Sequence, residues 1–177
     1  GYANGLSIKA IKRQHEEIEN LNAKLKPFKI FKGIESDIRS DGSLDYEDKI
    51  LSTFDIVVAS VHSKLEMDKE VATLRLIQAI KNPYTHILGH PSGRLLLSRA
   101  GYSLDYSQIF EESLKNRVAI EINAQPQRLD LDWKNVYKGM QIGVKFVITA
   151  DAHDISDLRY LSYGILLARK GLLTAED

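Results

Sequence analysis

Short runs of β-branched and other apolar residues recur along the chain about every 30 residues, which is the length of one strand–helix unit. The runs occupy residues 28–34, 55–61, 85–88, 118–122 and 146–150. Several of them contain few polar residues, as in 56–61 and 145–150. Strands that are buried on both faces have this pattern, because helices cover both sides of a parallel sheet. The runs therefore predict five strands of a parallel sheet.

The segments between these runs have the periodicity of amphipathic helices. The first helix is predicted to begin after Ser7, which can cap it, and to end before Pro27. Its apolar stripe consists of Ile8, Ile11, His15, Ile18, Leu21 and Leu25. The other predicted helices span 66–80, 105–116, 132–140 and 156–168, with Asp105 as a cap. In the helix 66–80, the residues predicted to face the core are Val71, Leu74, Ile77 and Ala79 or Ile80.

This alternation of strands and helices predicts an α/β fold with a parallel sheet or barrel, in a single domain over residues 1–177. Five strand–helix units can complete a doubly wound sheet, whereas an eight-stranded barrel needs about 250 residues. The first helix also lacks a preceding strand. The pattern is therefore compatible with an open sheet and with a barrel that lacks its first strands.

The composition excludes several classes of protein. Hydrophobic residues make up 44% of the chain and charged residues 27%, which excludes a disordered or fibrous protein. The absence of cysteine excludes disulfides, thiolate nucleophiles and cysteine zinc sites. Because 24 basic residues balance 24 acidic ones, any contact with nucleic acid has to come from a local patch or a bound metal. Without a membrane-length apolar run or a signal peptide, we expect a cytoplasmic protein with no membrane partner.

A polar side chain suited to ligand binding ends or follows each predicted strand. Glu35 follows the first strand, His62 the second, His90 the third, and Asp151 and His153 the fifth. The carboxyl ends of parallel strands meet at one edge, where such folds bind ligands. Imidazoles and carboxylates together suit zinc, manganese or iron better than magnesium or calcium. The sequence therefore predicts that these five residues share a metal site.

Each of these residues also has a structural interpretation. A single histidine at a strand end is more often a hydrogen-bonding residue than a ligand, and Glu35 could pair with a lysine. An aspartate there commonly caps the next helix, as Asp154 or Ser156 could do here. Five such groups on one edge nevertheless favour a shared site. His15 and His86 lie away from that edge, and we expect them to be structural.

Basic residues follow the same strands. Lys64, Arg94 and Arg128 are predicted to bind a substrate phosphate, although each taken singly also fits a solvated surface or a helix cap. The sequence contains neither a phosphate-binding loop nor a nucleophile elbow. Trp133 and the eight tyrosines do not interleave with basic residues, so we do not expect a base-stacking platform.

Five segments at the predicted strand ends resemble motifs of the polymerase and histidinol phosphatase (PHP) family. They are GIESDI at 33–38, ASVHS at 59–63, GHPSGRLL at 89–96, EINAQPQRLD at 121–130 and TADAH at 149–153. In order and spacing they most resemble the PHP domain at the C-terminus of bacterial family X DNA polymerases. The segment 2–7 also resembles the stretch that follows the second metal motif of the family.

This resemblance implies a distorted seven-stranded (β/α) barrel, of the TIM-like type, whose rim binds up to three divalent metal ions, manganese or zinc. The metal ligands of the family coincide with Glu35, His62, His90, Asp151 and His153. These residues would be catalytic through a metal-activated water, and Glu121 and Asn123 would support them without binding metal. The implied activity is 3′–5′ exonuclease or 3′-phosphatase on DNA ends during repair, in a polypeptide that also contains a polymerase core.

The family also has a His-x-His motif, an aspartate and an Asp-His pair ahead of these segments, and none of them occurs in the chain. We therefore expect an N-terminally truncated domain that lacks the first strands of the barrel. Two other functions stay open. One is a small-substrate phosphatase of the histidinol phosphatase type, and the other is a non-catalytic domain that supports a polymerase.

Overall fold

The computed structural model describes residues 5–177, so residues 2–4 of the segment 2–7 lie outside the described residues. Five strands form one sheet: β1 (Gly33–Asp37), β2 (Ile56–Ser60), β3 (Ile87–Leu88), β4 (Ala119–Asn123) and β5 (Phe146–Thr149). The α-helices of this range are α1 (Ile8–Lys24), α2 (Asp48–Leu51), α3 (Lys69–Ile80), α4 (Tyr106–Asn116), α5 (Trp133–Ile142) and α6 (Leu161–Lys170). A 3₁₀ helix (Ile155–Tyr160) precedes α6.

The strands lie in the sheet in the same order as in the chain, and every neighbouring pair is parallel. The predicted parallel α/β architecture is therefore confirmed. A doubly wound sheet reverses its strand order at a switch point. This sheet has no reversal, so the doubly wound alternative is wrong. Because all five strands are parallel, their carboxyl ends lie along one edge of the sheet.

The first strand begins later than the apolar run 28–34 predicts, whereas the other four lie within two residues of their predicted bounds. Ile30 is bound to α1 instead of to the sheet, because its backbone N–H donates to Oδ1 of Asn22 at 2.7 Å. The Asn22 amide in turn donates to the Ile30 carbonyl at 2.8 Å. Phe28 and Phe31 are exposed in this segment. Consequently β1 contains Glu35 instead of ending before it.

Side-chain caps determine where the helices begin. Ser7 caps α1 and Asp105 caps α4, as predicted, and of the two candidates before the 3₁₀ helix it is Asp154 that caps it. Asp68 caps α3 by accepting a hydrogen bond from the backbone N–H of Val71 at 2.8 Å. The helix α3 therefore begins three residues later than predicted.

The buried face of α3 differs from the predicted one. Val71 and Leu74 are 49% and 56% exposed, so their assignment to the core is wrong. The buried face contains Ala72, Arg75 and Leu76. Arg75 can occupy a core position because its guanidinium donates hydrogen bonds to backbone carbonyls. A buried arginine is not recognised by apolar periodicity, and this shifts the predicted face.

The two histidines outside the predicted site have structural contacts. The ring of His15 packs edge-on against Phe54, with 4.8 Å between the ring centroids. Nδ1 of His86 accepts a hydrogen bond from the backbone N–H of Val57 at 3.1 Å. Both contacts agree with the structural roles expected from the sequence.

The helix α1 is less buried than its apolar stripe predicts. Of the stripe, Ile11 is buried, whereas Ile8, Leu21 and Leu25 are exposed. The helix is the longest in residues 5–177, at 17 residues, and it is polar on average. Over that same range, no helix combines the length and the apolarity that crossing a bilayer requires.

Candidate metal centre

Glu35, His62 and His90 meet at the carboxyl edge of the sheet, although they are far apart in the sequence. Glu35 lies on β1, and the two histidines lie just after β2 and β3. Oε1 of Glu35 is 3.3 Å from Nε2 of His62 and 3.3 Å from Nε2 of His90. The exposed fraction of the side chain is 41% for Glu35 and 2% for His90. The cluster is therefore open to solvent on the glutamate side and closed behind His90.

These distances fit a divalent metal ion. In a tetrahedral site with bonds of about 2.0–2.1 Å, neighbouring ligand atoms are about 3.3–3.4 Å apart. One potential ligand atom from each of the three residues lies within 4.8 Å of the other two. A carboxylate and two imidazoles form a mixed oxygen and nitrogen set, which suits zinc or manganese. The donor set and its spacing are therefore compatible with such an ion.

Asp37 holds His62 in the orientation that this site needs. Oδ1 of Asp37 is 2.5 Å from Nδ1 of His62. A proton on Nδ1 shared with the carboxylate leaves Nε2, the atom nearest Glu35, free to bind a metal. No role was predicted for Asp37 from the sequence. The signal was present, because residues two apart on a strand point to the same face and Glu35 and Asp37 have that spacing.

The position of His90 is determined by its backbone. Its φ of 23° lies outside the regions that residues other than glycine usually adopt. Its N–H donates to Oε2 of Glu121. A Cβ on the preceding Gly89 would collide with Ser60 and Val58 of β2, so only glycine fits there. Nδ1 of His90 is buried and makes no hydrogen bond with the described residues.

The charges of the cluster favour a cation. Burial alone would raise the pKa of Glu35, but hydrogen bonds from His62 and His90 outweigh burial and hold this pKa well below its usual range. Burial alone would lower the pKa of His62, but Glu35 and Asp37 outweigh burial and raise it. A metal ion that binds here therefore meets an ionised carboxylate and competes with protons for His62.

Asp151 lies in a second hydrogen-bonded group at the same edge. Its Oδ2 accepts a hydrogen bond from the side-chain amide of Asn123 at 3.0 Å and is 3.5 Å from Nε of Arg128. Its φ of 46° is in the left-handed region, as at His90. Oδ2 of Asp151 therefore has one neutral donor and one cationic neighbour, and Oδ1 lies 4.0 Å from Nδ1 of His153.

Glu121 connects the two groups. Oε1 accepts a hydrogen bond from the Thr149 hydroxyl at 2.6 Å, and Oε2 accepts from Asn123 at 3.3 Å and from the backbone of His90. Burial raises the pKa of Glu121. The electrostatic interaction with His90 and the hydrogen bonds from Thr149 and from the His90 backbone act in the opposite direction but do not outweigh burial. Glu121 therefore contacts His90, and Asn123 contacts Asp151. The role of Glu121 and Asn123 in supporting metal ligands stays a prediction.

His153 does not join the cluster. Its side chain is 79% exposed, and Nδ1 contacts the backbone carbonyl of Asp151 at 2.8 Å. The same nitrogen is 4.0 Å from Oδ1 of Asp151. Of the five predicted ligands, the structure brings three into one cluster and places Asp151 and His153 beside each other. The metal-binding role of this pair stays a prediction.

The three basic residues occupy different places. Arg128 lies beside Asp151, and Lys64 is exposed in the segment after β2, with a φ of 51°. The Arg94 guanidinium donates from Nε to the Arg128 carbonyl at 3.0 Å and also to the Leu129 carbonyl. Arg94 therefore supports the segment that carries Arg128. The binding of phosphate by these residues stays a prediction.

The chain is similar to known proteins over most of its length, although no family model matches it. It is 44% identical over 169 residues to the DNA polymerase/3′-5′ exonuclease PolX of Bacillus subtilis, an alignment that covers 96% of this chain and 30% of PolX. It is 31% identical over 145 residues to a probable phosphatase of Caldanaerobacter subterraneus, covering 76% of this chain and 55% of that protein. The chain thus spans about a third of PolX and about half of the phosphatase.

A solved structure shares the fold. The crystal structure of histidinol phosphate phosphatase from Lactococcus lactis, complexed with zinc, L-histidinol and phosphate, superposes with a TM-score of 0.64. The sequence identity is 18%, and the match covers 93% of this chain and 75% of the other. The sequence similarity to PolX and this fold agree with the motifs at the strand ends. The resemblance of this chain to the PHP domain, in the version of bacterial family X DNA polymerases, is therefore confirmed.

Proposed function

We propose that this chain carries a metal-dependent phosphoesterase site that acts on DNA 3′ ends, as a 3′–5′ exonuclease or a 3′-phosphatase. The observation that carries the proposal is the position of Glu35 Oε1, 3.3 Å from the Nε2 atoms of both His62 and His90. The relative at 44% identity supports the choice of DNA, because it is named a DNA polymerase/3′-5′ exonuclease. A polymerase core in the same polypeptide is part of this proposal.

A divalent ion, manganese or zinc, would supply an acidified water and positive charge for the phosphate oxygens when it is bound. Glu35, His62 and His90 would hold it, and Asp37 would keep the Nε2 atom of His62 directed at it. Asp151 and His153 would complete the ligand set of up to three ions. The residues of the chain that orient the phosphate would be Lys64, Arg94 and Arg128.

The sheet would form part of a larger barrel. We infer that β1–β5 are five strands of the distorted seven-stranded PHP barrel, because their order follows the chain without reversal. In a barrel of this type the strand ends converge around one axis. Such convergence would place Asp151 and His153, which follow β5, opposite the cluster that follows β1 to β3.

The test is hydrolysis with metal removed and restored. An oligonucleotide labelled at its 5′ end is incubated with the chelated protein, and manganese or zinc is then added. We expect the oligonucleotide to be shortened or dephosphorylated at its 3′ end only when metal is present. The rate is expected to fall by at least about 100-fold in His90→Ala and in Asp151→Ala. His15→Leu is the matched control, because His15 packs on Phe54 and is outside the site. Unchanged rates in both site variants would refute the assignment.

The small-substrate phosphatase is the second candidate. It is favoured by the relatives named as probable phosphatases and by the fold shared with a histidinol phosphate phosphatase. A small phosphate monoester would then be hydrolysed faster than the 3′ end of an oligonucleotide, with no dependence on polymer length. If the domain is non-catalytic, elemental analysis is expected to find no metal, and added manganese is expected to produce no hydrolysis.

A further inference from the structure

A pocket outside the metal centre has the features of a nucleotide subsite. It has a volume of about 620 Å³, within the range of small-molecule sites. The pocket lies between the start of α5, the outer face of α6 and the segments after β3 and β4. Its walls include the rings of Trp133 and Tyr163 and the side chains of Leu129 and Leu166. Trp133 is 38% exposed, so one part of its ring is accessible to a ligand.

Cations surround this aromatic wall. Nζ of Lys170 is 5.1 Å from the centroid of the Trp133 ring, and Nζ of Lys134 is 5.8 Å from it. Arg94 also lines the pocket. The carboxylate of Asp132 lines it too, but it caps α5 and accepts hydrogen bonds from two backbone N–H groups there. The pocket therefore has an excess of positive charge beside an accessible aromatic ring.

The pocket lies beside a segment of chain that also contacts Asp151, at the same edge of the sheet as the candidate metal centre. Arg94, on the pocket side, donates hydrogen bonds to the carbonyls of Arg128 and Leu129. On the other side of this segment, Nε of Arg128 is 3.5 Å from Oδ2 of Asp151. The segment that carries Arg128 and Leu129 thus contacts both a residue of the pocket wall and a residue of the predicted ligand set.

We infer that the pocket binds a nucleotide of single-stranded DNA next to the reacting 3′ end, with a base stacked on Trp133 and backbone phosphates at Lys134 and Lys170. This inference rests on the proposed function. Bases of any sequence can stack on an aromatic ring, and ammonium groups beside it match the flanking phosphates. An apolar peptide would fit less well, because it would remove two ammonium groups from water without pairing them.

The sequence does not reveal this arrangement. Trp133 and Lys134 begin α5, whereas Tyr163 and Lys170 lie on α6. The aromatic and basic residues are separate in the chain and come together only when α5 and α6 pack. The expectation that no base-stacking platform exists was based on sequence spacing alone, and the experiments below test it.

Trp133 itself reports on the inference, since it is the single tryptophan of the 177 residues. In the presence of a chelator, which prevents hydrolysis, its fluorescence is followed while oligothymidylate is added. An abasic oligomer of equal length and charge is the comparison. We expect saturable quenching by oligothymidylate and little by the abasic oligomer. Equal signals from the two oligomers, or no signal from either, would overturn the inference.

The charged part of the subsite is tested by Lys134→Gln and Lys170→Gln. Each is expected to weaken oligothymidylate binding and to reduce the salt dependence, the slope of log K against log salt, by about 0.7. Lys115→Gln, on α4, removes an exposed lysine away from the pocket and is expected to leave both values unchanged. A loss in the control as large as in the two pocket variants would contradict a specific subsite.

Steady-state kinetics separate this inference from the proposed function. Trp133→Ala is expected to raise the KM for an oligonucleotide about 5- to 100-fold. Trp133→Phe keeps an aromatic ring and is expected to have a KM close to that of the wild type. Both variants should hydrolyse a small aryl phosphate ester normally. If DNA ends are hydrolysed equally well by Trp133→Ala, the inference fails and the proposed function stands. If the protein hydrolyses only the small ester, the proposal that DNA is its substrate fails. The fluorescence titration then still decides whether the pocket binds a nucleotide.

Discussion

Asp37 contacts the candidate metal centre through His62. Its carboxylate is 2.5 Å from Nδ1 of His62, the nitrogen that faces away from the cluster. A carboxylate in this position fixes the ring orientation and makes Nε2 a stronger donor to a metal. Asp37 is held in turn by its backbone N–H, which donates to Asp45 at 2.9 Å.

Asp37→Asn is therefore expected to weaken metal binding about 10- to 100-fold. The asparagine can still accept a hydrogen bond from His62, so the orientation is partly preserved while the negative charge is lost. Calorimetric titration with zinc or manganese measures the change. Asp41→Asn is the control, because Asp41 is exposed and its hydrogen bonds are with Ser43 in a turn. Equal affinities of the wild type and Asp37→Asn for the metal would show that Asp37 does not support metal binding.

The residues of the cluster differ in how far the sequence could predict them. Glu35, His62 and His90 could be predicted, because each is polar and follows an apolar run of the sequence. The role of Asp37 depends on the register of β1 against β2, which pairs Asp37 with Ser60 and brings it next to His62. The spacing of Glu35 and Asp37 indicates that they share a face of β1. The contact of Asp37 with His62 also requires the register, which packing across the sheet sets.

At the scale of elements, α3 connects the ends of the first two strands. Nε of Arg75 donates to the Arg39 carbonyl at 2.9 Å, in the segment after β1. Nη1 donates to the Ser63 carbonyl at 3.1 Å, in the segment after β2. The buried side chain of Arg75 thus connects the segment that follows Asp37 to the segment that precedes Lys64.

Arg75→Met is expected to destabilise the fold by about 3 kcal/mol, because the buried carbonyls lose their donor. It is also expected to weaken metal binding, since the segments beside Asp37 and His62 are released. Urea unfolding gives the first value and metal titration the second. Lys81→Met removes an equal charge from an exposed position at the end of α3 and should change neither. If Arg75→Met lowered stability but not metal affinity, α3 would support the fold without positioning the site.

The contact of α1 with the core predicts a dependence of stability on pH. Burial lowers the pKa of His15 below the value of 6.5, and Lys32 lowers it further. The unfolded chain therefore binds more protons than the folded chain between the two pKa values. Stability from this residue is present above pH 6.5 and is lost as the pH falls through 6.5 towards the folded pKa.

His15→Leu replaces the imidazole that packs against Phe54 with an apolar side chain and so removes the titrating group. Urea unfolding from about pH 7 to pH 5 is expected to show a shallower loss of stability in this variant than in the wild type. Parallel curves for the two proteins would show that His15 does not contribute to the loss.

At the scale of the molecule, the order and type of the elements could be predicted because local patterns specify them. Apolar runs gave four of the five strands within two residues, and Ser7 and Asp105 cap the helices assigned to them. The buried face of α3 could not be predicted, because Arg75 satisfies its charge through contacts with distant segments. The pocket around Trp133 could not be predicted either, since it needs the packing of α5 on α6.

The candidate metal centre joins three strands, so metal binding there would be a property of the folded sheet. Glu35, His62 and His90 come from β1 and from the segments after β2 and β3, so the unfolded chain does not present them together. A ligand that binds only the folded state, at about 100 times its Kd, adds about 2.7 kcal/mol to the free energy of unfolding.

For a domain of this size, that gain corresponds to a rise in Tm of about 5–10 °C. Saturating zinc or manganese is therefore expected to raise the Tm of the chain by this amount, as measured by calorimetry. The rise should be absent in His90→Ala and present in His15→Leu, which differs from the wild type only at α1. A similar rise in both variants would mean that the metal stabilises the protein elsewhere, since a site that joins β1, β2 and β3 cannot keep its affinity without His90.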